Sequence, residues 1–521
     1  MPVYPTNSFG GIHQKKTNEP NLVRNAVNVL FEDDRVIGRA GIEKLLGITS
    51  ALNAGIIGFA QFGTAGSTTV TLLAFTTTKA YKLNTLTAAW DDITGSALTA
   101  GIYNNISWTL HKDVLIFANE VDGVRKWTGT GNTAAIGGSP PTTASLVKHF
   151  EGYLFLGDVT VGGTRYPARI RYSDDYDATW NVLYEINLTE TAGSLEAWDT
   201  IGRTLYCYKS DGIVGIRLIG GQVRFSQFKI PFYDGIGIIA PLSLTAIPGI
   251  GHIFLGTDLN LYINTDEKIE LMPPFVQKAL QEVPAGWMQQ AAGLLDAKNH
   301  KWNLFISSGD SWLGRRLIWD YKANKWSIYD YPSKRFARVF AFSTRSDADT
   351  WTSDTQIWSA DAEDWSRSIV SDSQTLIGGT SDKLVYKFDS GTDDDGTFIV
   401  REYESDWLDF GVRNRKILYG IDFIFECAIG AEVYVSIATD FKGGFKQEKV
   451  FSLAGDTESD DTIAPYRITP ISGTMFNVKL AFRHNRFTST DPELARLKEM
   501  YFFYDLEQKD QQQSRPPLWA V

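Results

Sequence analysis

The chain has 521 residues, of which 43% are hydrophobic and 13% aromatic, and it contains 46 glycines. A chain of this length buries most of its unfolded surface and divides into several domains, and the aromatic and glycine content favours strands and tight turns. The formal net charge of −11 argues against a protein that grips nucleic acid through its phosphates, because such binding needs clustered Lys and Arg.

The two cysteines, Cys207 and Cys427, both lie in apolar, strand-like runs. Two cysteines are too few for a disulfide scaffold and favour buried thiols in a reducing compartment. No stretch reaches the ~18 consecutive apolar residues of a membrane helix. The polar start MPVYPTNSFGG also lacks the apolar core of an export signal. We therefore expect no membrane span and assembly in a cytoplasm.

Residues 1–50 predict an extended arm followed by a hairpin. Pro5 and Pro20 oppose helix formation in the arm. A short apolar strand at residues 28–31 and a return strand at 36–39 flank an acidic turn, which is the pattern of a β-hairpin. Such an arm usually packs on another part of the protein.

Residues 51–396 contain seven copies of one pattern, in which an apolar strand meets a Gly, Asp or Asn turn and a second strand carries an aromatic. The copies begin at Leu72, Val114, Tyr153, Arg203, Ile253, Trp302 and Thr375. Most starts are separated by about 40 to 50 residues, which is the range of propeller blades and repeat arrays. A single hairpin cannot bury its apolar face, whereas hairpins packed around an axis leave only short protected edges. The repeat therefore predicts a β-propeller of six or seven blades.

Two segments interrupt the repeat. Residues 273–292 place apolar residues from Phe275 to Val283 at helical spacing and predict a short helix pair between blades. This helix either packs on a neighbouring blade or forms a contact surface. Residues 346–373 are polar with three tryptophans at seven-residue intervals, which indicates loops, short strands or a degenerate blade.

Residues 397–506 predict a separate C-terminal β-domain, because their strands are longer and mostly alternate apolar and polar residues. The four clearest strands span residues 417–424, 431–437, 476–482 and 499–504. Residues 507–521 contain few core-forming side chains and predict a tail that docks on a partner. The expected fold class is thus all-β, with a propeller, a sandwich-like domain and a short inserted helix.

The titratable residues show no metal-site spacing. The six histidines stand far apart, at His13, His111, His149, His252, His300 and His484. An acidic stretch of Asp393, Asp395, Gly396 and Glu402 partly matches a calcium-binding loop. Its first position is Gly391 instead of Asp, and a strand follows instead of a helix, so a solvated acidic linker is favoured. We expect no metal, no cofactor and no cofactor-binding residue.

Residues 173–180 (SDDYDATW) resemble the Asp-box turn of sialidase-type propellers, with Asp177 in place of its glycine. In those families the box is a structural turn that lies away from the active site. A sialidase would also need an arginine cluster for the substrate carboxylate. Three arginine pairs are candidates, but alternation along a solvent-facing strand explains them equally well: Arg169 and Arg171, Arg315 and Arg316, and Arg413 and Arg415. With no phosphate loop, nucleophile elbow or Cys/His pair, we expect no enzyme and no catalytic residue.

The order of parts resembles the tail nozzle proteins of short-tailed bacteriophages, also called tail hub, tail tubular or packaged-DNA stabilisation proteins. The resemblance is carried by an opening NAVNV and GRAGI pair, a strand pair, a helix followed by RLIWDYKANKWSI, and a C-terminal strand pair ending in SIATD. These pieces lie at residues 25–42, 198–218, 269–326 and 417–440.

The resemblance implies a structural virion protein of the tail, present as a homohexameric ring below the portal and adaptor. Such a ring retains the packaged DNA and conducts it at ejection, without sequence-specific DNA binding. Its expected partners are adaptor or head-to-tail connector proteins, tail fibres or spikes, and a tail needle or plug. The alternative is a glycan-binding or glycan-hydrolysing propeller, and a third possibility is a structural protein elsewhere in the virion.

Overall fold

The structure is a computed structural model, and the parts of the chain that it describes are nearly all β. The described residues are 3–6, 12, 23–32, 34–64, 70–177, 180–181, 183–220, 224–230, 235–266, 268–344, 373–410, 414–426, 431–440, 446–453, 461–473, 476–484 and 496–506. The three tryptophans of residues 346–373, Cys427 and the predicted tail lie outside these ranges.

Five short strands open the chain. They are β1 (Val3–Thr6), β2 (Val23–Val27), β3 (Val29–Glu32), β4 (Arg35–Gly38) and β5 (Ile42–Lys44). The hairpin predicted near the N-terminus is the antiparallel pair β3 and β4.

Within the described ranges, five four-stranded antiparallel sheets and one eight-stranded sheet follow. The eight-stranded sheet divides into two four-stranded blades, which gives seven blades in all. The first three are β6 (Ile56–Phe62), β7 (Thr71–Thr76), β8 (Ala80–Asn84) and β9 (Ala89–Asp92); β10 (Ser107–His111), β11 (Val114–Ala118), β12 (Arg125–Trp127) and β13 (Ala134–Ala135); and β14 (Thr143–Phe150), β15 (Tyr153–Val161), β16 (Thr164–Ser173) and β17 (Glu185–Asn187). The next two are β18 (Leu195–Ile201), β19 (Thr204–Lys209), β20 (Gly212–Leu218) and β21 (Phe225–Lys229); and β22 (Thr245–Ile247), β23 (Gly251–Leu255), β24 (Leu261–Asn264) and β25 (Ile269–Leu271). The last two are β26 (Ala292–Asp296), β27 (Lys301–Ser307), β28 (Leu313–Asp320) and β29 (Lys325–Asp330); and β30 (Phe336–Thr344), β31 (Ser373–Thr380), β32 (Val385–Phe388) and the N-terminal β5.

The second strand of each blade is the feature that the sequence repeat detected. Each of the seven repeat starts lies within, or one residue before, one of these strands. Strands such as β11 and β19 are buried along their whole length, because a blade's middle is covered on both faces by its neighbours. Apolar cores lie between successive blades; Phe75 of the first blade and Phe117 of the second, for example, have ring centroids 4.8 Å apart. The β-propeller fold is confirmed, with seven blades.

The ring closes through strands from both ends of the propeller. The first strand of the seventh blade, β30, contacts the first strand of the first blade, β6. The outer position of the seventh blade is filled by β5, which pairs with β32 in the register Lys44 to Tyr386 and Ile42 to Phe388. Residues 42–44, which the sequence analysis placed in the N-terminal arm, are therefore part of the propeller.

The predicted helical insertion is present between the fifth and sixth blades. It consists of α1 (Gln277–Gln281) and α2 (Ala285–Met288). Leu280 and Met288 are fully buried, so the pair contributes to the core of the propeller. Within the described ranges, no helix is long and apolar enough to cross a membrane.

A second compact unit contains residues 1–39, 325–327 and 399–521, whereas the propeller unit contains residues 40–324 and 328–398. The remaining strands belong to the second unit: β33 (Arg401–Ser405), β34 (Lys416–Glu426), β35 (Ala431–Thr439), β36 (Lys446–Leu453), β37 (Asp461–Gly473), β38 (Phe476–His484) and β39 (Arg496–Leu506). One sheet has the order β3-β4-β39-β34-β37, with β1 also paired to β39, and the other has the order β2-β33-β38-β35-β36. Alternate residues such as Val478 and Leu480 are fully buried. The C-terminal β-domain is thus confirmed as two sheets, and each sheet includes strands from the N-terminus.

Candidate functional site

The propeller contains a cavity of about 610 Å³ that is lined by the first strands of its second, third and fourth blades and by the segments leading into the fifth and sixth. The antiparallel register places the start of each first strand beside the end of the second strand, as Ser107 beside Ala118 and Leu195 beside Lys209 show. We call the rim at which the first strands begin the upper rim. The turns that follow the second strands lie on the same rim.

Three carboxylates and one arginine line the cavity near the upper rim, namely Glu120, Asp158, Glu196 and Arg165, and we call them the rim cluster. Arg165 donates two hydrogen bonds to Asp158, from Nε at 2.8 Å and from a terminal nitrogen at 2.5 Å. This pairing, together with the nearby charges of Glu120 and Glu196, raises the pKa of the Arg165 guanidinium. A two-pronged pair of this kind fixes the direction of both side chains.

Glu120 is held by the polypeptide wall of the cavity instead of by a cation. The amide nitrogen of Asn104 donates to its carboxylate at 2.9 Å. Burial raises the pKa of the Glu120 carboxyl group, because the charged form loses hydration and gains only neutral hydrogen-bond donors in return.

Arg338, on the first strand of the seventh blade, supports this wall from below the surface. It is only 5% exposed and donates to the backbone oxygens of Ile57, Ile102 and Asn104 and to the side chain of Gln290. Because these acceptors are neutral, burial lowers its pKa to about 10. Arg338 thus connects the first strand of the first blade with the segments that lead into the second and sixth blades.

Two positions of the rim cluster have unusual backbone geometry. Glu120 and Asp158 have φ values of 71° and 51°, in the left-handed region that side chains other than Gly, Asn and Asp rarely adopt. Asp158 also lies at a register shift between Gly157 and Val159 of β15. A bulge of this kind redirects a side chain, and here it presents the Asp158 carboxylate to Arg165.

Farther along the first strands, a second ion pair lines the same cavity. Nζ of Lys148 in β14 donates to the carboxylate of Asp199 in β18 at 2.5 Å. The pair bridges the third and fourth blades. The cavity lining therefore combines these two polar groups with apolar side chains such as Trp108 and Leu242.

The structure brings together two histidines that are 38 residues apart in sequence. The Nδ1 atoms of His111 and His149 lie 2.7 Å apart, at the ends of β10 and β14 opposite the upper rim. Burial is the main reason why the pKa of each imidazole is lowered. Each histidine stands alone in the sequence, and only the packing of neighbouring first strands could have revealed the pair.

The other histidines have separate environments. His252 is fully buried and hydrogen-bonds to the hydroxyl group of Tyr208 at 2.9 Å, whereas His300 stacks near Tyr321. His13 lies outside the described residues, as does the side chain of His484. Among the described residues, no three His, Cys, Asp or Glu side chains converge in a way that could hold a metal ion.

The turn that resembles an Asp-box links the third blade to the second. Asp177 accepts hydrogen bonds from the backbone N–H of Gly137 at 2.9 Å and from Lys126 at 2.5 Å. Asp175 pairs with Lys112 at 2.9 Å. These contacts give the turn a structural role, and two of its residues, 178 and 179, lie outside the described ranges.

The four described arginines of the first two candidate pairs have separate partners. Arg169 pairs with Glu185 at 3.4 Å, and Arg171 donates to the backbone oxygen of Asn181. The side chains of the second pair point to different partners, since Arg315 pairs with Asp330 and Arg316 with Asp389. Of the third pair, Arg413 lies outside the described residues and Arg415 is exposed.

The acidic stretch that partly matched a calcium loop holds β5 against the seventh blade. Asp395 accepts hydrogen bonds from Lys44 at 2.7 Å, from Lys334 at 2.9 Å and from the hydroxyl group of Tyr386 at 3.0 Å. Glu402 lies in β33 of the other unit and pairs with Lys479. Asp395 and Glu402 therefore serve two separate structural purposes.

The sequence did not predict the rim cluster, because its residues lie in three different blades, one in a turn and three within strands, and form no local motif. The one available signal was the presence of acidic residues just after apolar second strands, as Glu120 follows β11.

No family model matches the chain, and no curated protein matches it. Among solved structures, the chain is similar to YCF48 from Cyanidioschyzon merolae, at 12% sequence identity and a TM-score of 0.37. That match covers 67% of this chain and 98% of YCF48.

Proposed function

We propose that the protein is a non-enzymatic subunit of a tail nozzle in a short-tailed bacteriophage. In this proposal six copies form a ring below the portal and adaptor, retain the packaged DNA and conduct it at ejection. The observation that carries the proposal is the use of the N-terminal segment. Residues 1–39 contribute strands to a sandwich with the C-terminus, and residues 42–44 close the propeller, in the order of parts that the sequence resemblance implies.

The chemistry of the described residues supports a structural role. The most buried charged side chains are engaged in hydrogen bonds that join strands or blades, such as the two bonds from Arg316 to Asp389. The net charge of −11 suits the wall of a conduit, because like charges keep DNA from adhering to it. The glycan-hydrolysing alternative gains no support from the first two arginine pairs, whose members are engaged with separate partners.

Electron microscopy of the full-length protein, alone and mixed with a phage portal and adaptor complex, tests the proposal. We expect a six-fold ring that binds coaxially to the adaptor. Such a closed ring forms through heterologous contacts between neighbouring subunits. An acidic protein of similar mass serves as the control for nonspecific association. A chain that remains monomeric alone and with the adaptor complex would contradict the proposal.

A further inference from the structure

We propose that the propeller cavity is a binding site for a neutral saccharide. This inference concerns the propeller unit alone and holds whether or not the chain assembles into a ring. The volume of the cavity, about 610 Å³, lies within the range of about 300 to 1,000 Å³ that small-ligand sites occupy. It is open to a ligand at the upper rim, where Tyr103 is 58% exposed.

The lining combines hydrogen-bond acceptors with donors. The carboxylates of Glu120 and Glu196 accept, whereas the guanidinium of Arg165 and the amide of Gln289 offer donors. A sugar hydroxyl group both donates and accepts, so neighbouring hydroxyls of one ring can use both kinds of partner. A purely anionic or purely cationic ligand would leave one set unsatisfied.

Two of the three rim carboxylates are fixed before a ligand arrives. Asp158 is held by Arg165 and by the Ser145 hydroxyl group at 2.5 Å. Glu120 is fixed by Asn104, whose backbone oxygen is held in turn by Arg338 at 3.1 Å. Groups held in place in this way lose little conformational entropy when a ligand binds. The left-handed backbone at Glu120 is the kind of local strain that concentrates at ligand sites.

The apolar part of the lining suits the face of a sugar ring that carries C–H groups. Tyr103 and Trp108 offer aromatic surface, and Leu242 adds an aliphatic side chain. Aromatic rings pack well against the C–H groups of a pyranose, and a tyrosine also keeps its hydroxyl group in water. The mixture of polar and apolar lining therefore fits an amphipathic ring better than a simple ion.

Charge selects among saccharides. The rim cluster has three carboxylates and one guanidinium, so in its ionised form it carries two excess negative charges. Sialic acids, uronates and phosphosugars would meet net repulsion there. A neutral hexose or N-acetylhexosamine avoids this cost and can still accept hydrogen bonds from Arg165.

Titration of the full-length protein with methyl α-glucoside, methyl α-mannoside, methyl β-galactoside, N-acetylglucosamine and rhamnose, followed by saturation-transfer NMR and calorimetry, tests this inference. N-acetylneuraminic acid and spermidine are the anionic and cationic comparisons. We expect at least one neutral sugar to bind, and neither charged probe to compete with it.

Glu120→Gln should weaken this binding by about tenfold or more, because a hydrogen bond to a charged acceptor becomes one to a neutral amide. Tyr103→Ala should weaken it similarly, and this side chain is exposed enough for its removal to leave the fold intact. Glu151→Gln, at the turn between β14 and β15 on the opposite rim, is the matched control and should bind as the parent does.

Three results would overturn the proposal: no binding of any neutral sugar at millimolar concentration, preferential binding of spermidine, or binding that Glu120→Gln and Tyr103→Ala leave unchanged. None of them depends on ring formation, so this inference and the proposed function can fail separately.

Discussion

Buried cations in the propeller are stabilised in two different ways. Arg338 and Lys209 donate to backbone oxygens, and burial lowers the pKa of both side chains. Arg316 instead has a carboxylate partner, and the charge of Asp389 outweighs the effect of burial and raises the Arg316 pKa. Loss of a partner should therefore affect stability differently for Arg316, which has a carboxylate partner, than for the cations that are bound by backbone oxygens.

Asp389→Asn should destabilise the protein by about 2 kcal/mol. Arg316 is 1% exposed and donates two hydrogen bonds to the Asp389 carboxylate, each at 2.9 Å. Removing one partner of a buried pair costs about 3 to 5 kcal/mol, and we expect less here because the Asp389 side chain is 40% exposed. Chemical denaturation measures the loss.

The control for this prediction is Asp92→Asn, which removes an ion pair with Lys79 in which both side chains are about 40% exposed. Solvent screens such a pair, so the change should be much smaller. Equal losses in the two variants would show that Asp389 does not compensate a buried charge.

The paired histidines predict a stability that decreases in mild acid. Burial lowers the pKa of His111 and His149, so below about pH 6.5 the unfolded chain binds protons that the folded protein does not. The free energy of unfolding then falls with decreasing pH, by up to about 1.4 kcal/mol per pH unit for each histidine that stays neutral. Denaturation at several pH values between about 7 and 5 should show a shallower slope for His149→Asn than for the parent.

His252 contributes to the same slope, because burial lowers its pKa as well, so His149→Asn should reduce the slope without abolishing it. An unchanged slope in His149→Asn would contradict the assignment.

At the scale of elements, the seventh blade depends on a close backbone approach. Gly41 precedes β5, and its N–H donates to the backbone oxygen of Gly391 at 2.9 Å. A Cβ atom at Gly41 would lie 1.8 Å from the backbone oxygen of Asp393. Only glycine lets β5 reach its place beside β32.

Gly41→Ala should therefore lower the free energy of unfolding by at least about 2 kcal/mol, because the added methyl group meets backbone that cannot give way without displacing β5. Gly286→Ala is the matched control, since no atom lies within 4 Å of a Cβ atom there, and alanine should be neutral or slightly stabilising in α2. Thermal and chemical denaturation of the two variants compare them. Similar stabilities would mean that β5 adjusts easily.

At the scale of the whole molecule, the sequence predicts those strands whose buried residues form a continuous apolar run. Second strands such as β11 are covered on both faces, so their apolar runs are visible in the sequence and their spacing predicts six or seven blades. Outer strands such as β13, which consists of two residues that are both exposed, have no apolar run that the sequence could reveal. The role of β5 and the rim cluster depend on contacts between residues far apart in sequence, which periodicity does not encode.

The closure of the propeller by β5 leads to a prediction for truncated chains. A fragment of residues 40–398 contains the whole propeller unit and should unfold cooperatively, whereas residues 46–398 lack β5 and should be markedly less stable. Without β5, the edge of β32 is unpaired and open to aggregation, and Asp395 loses the partner Lys44 at 2.7 Å. Size-exclusion chromatography, circular dichroism melts and limited proteolysis compare the two fragments, which differ by six residues. Equal melting behaviour would show that the propeller closes without its N-terminal strand.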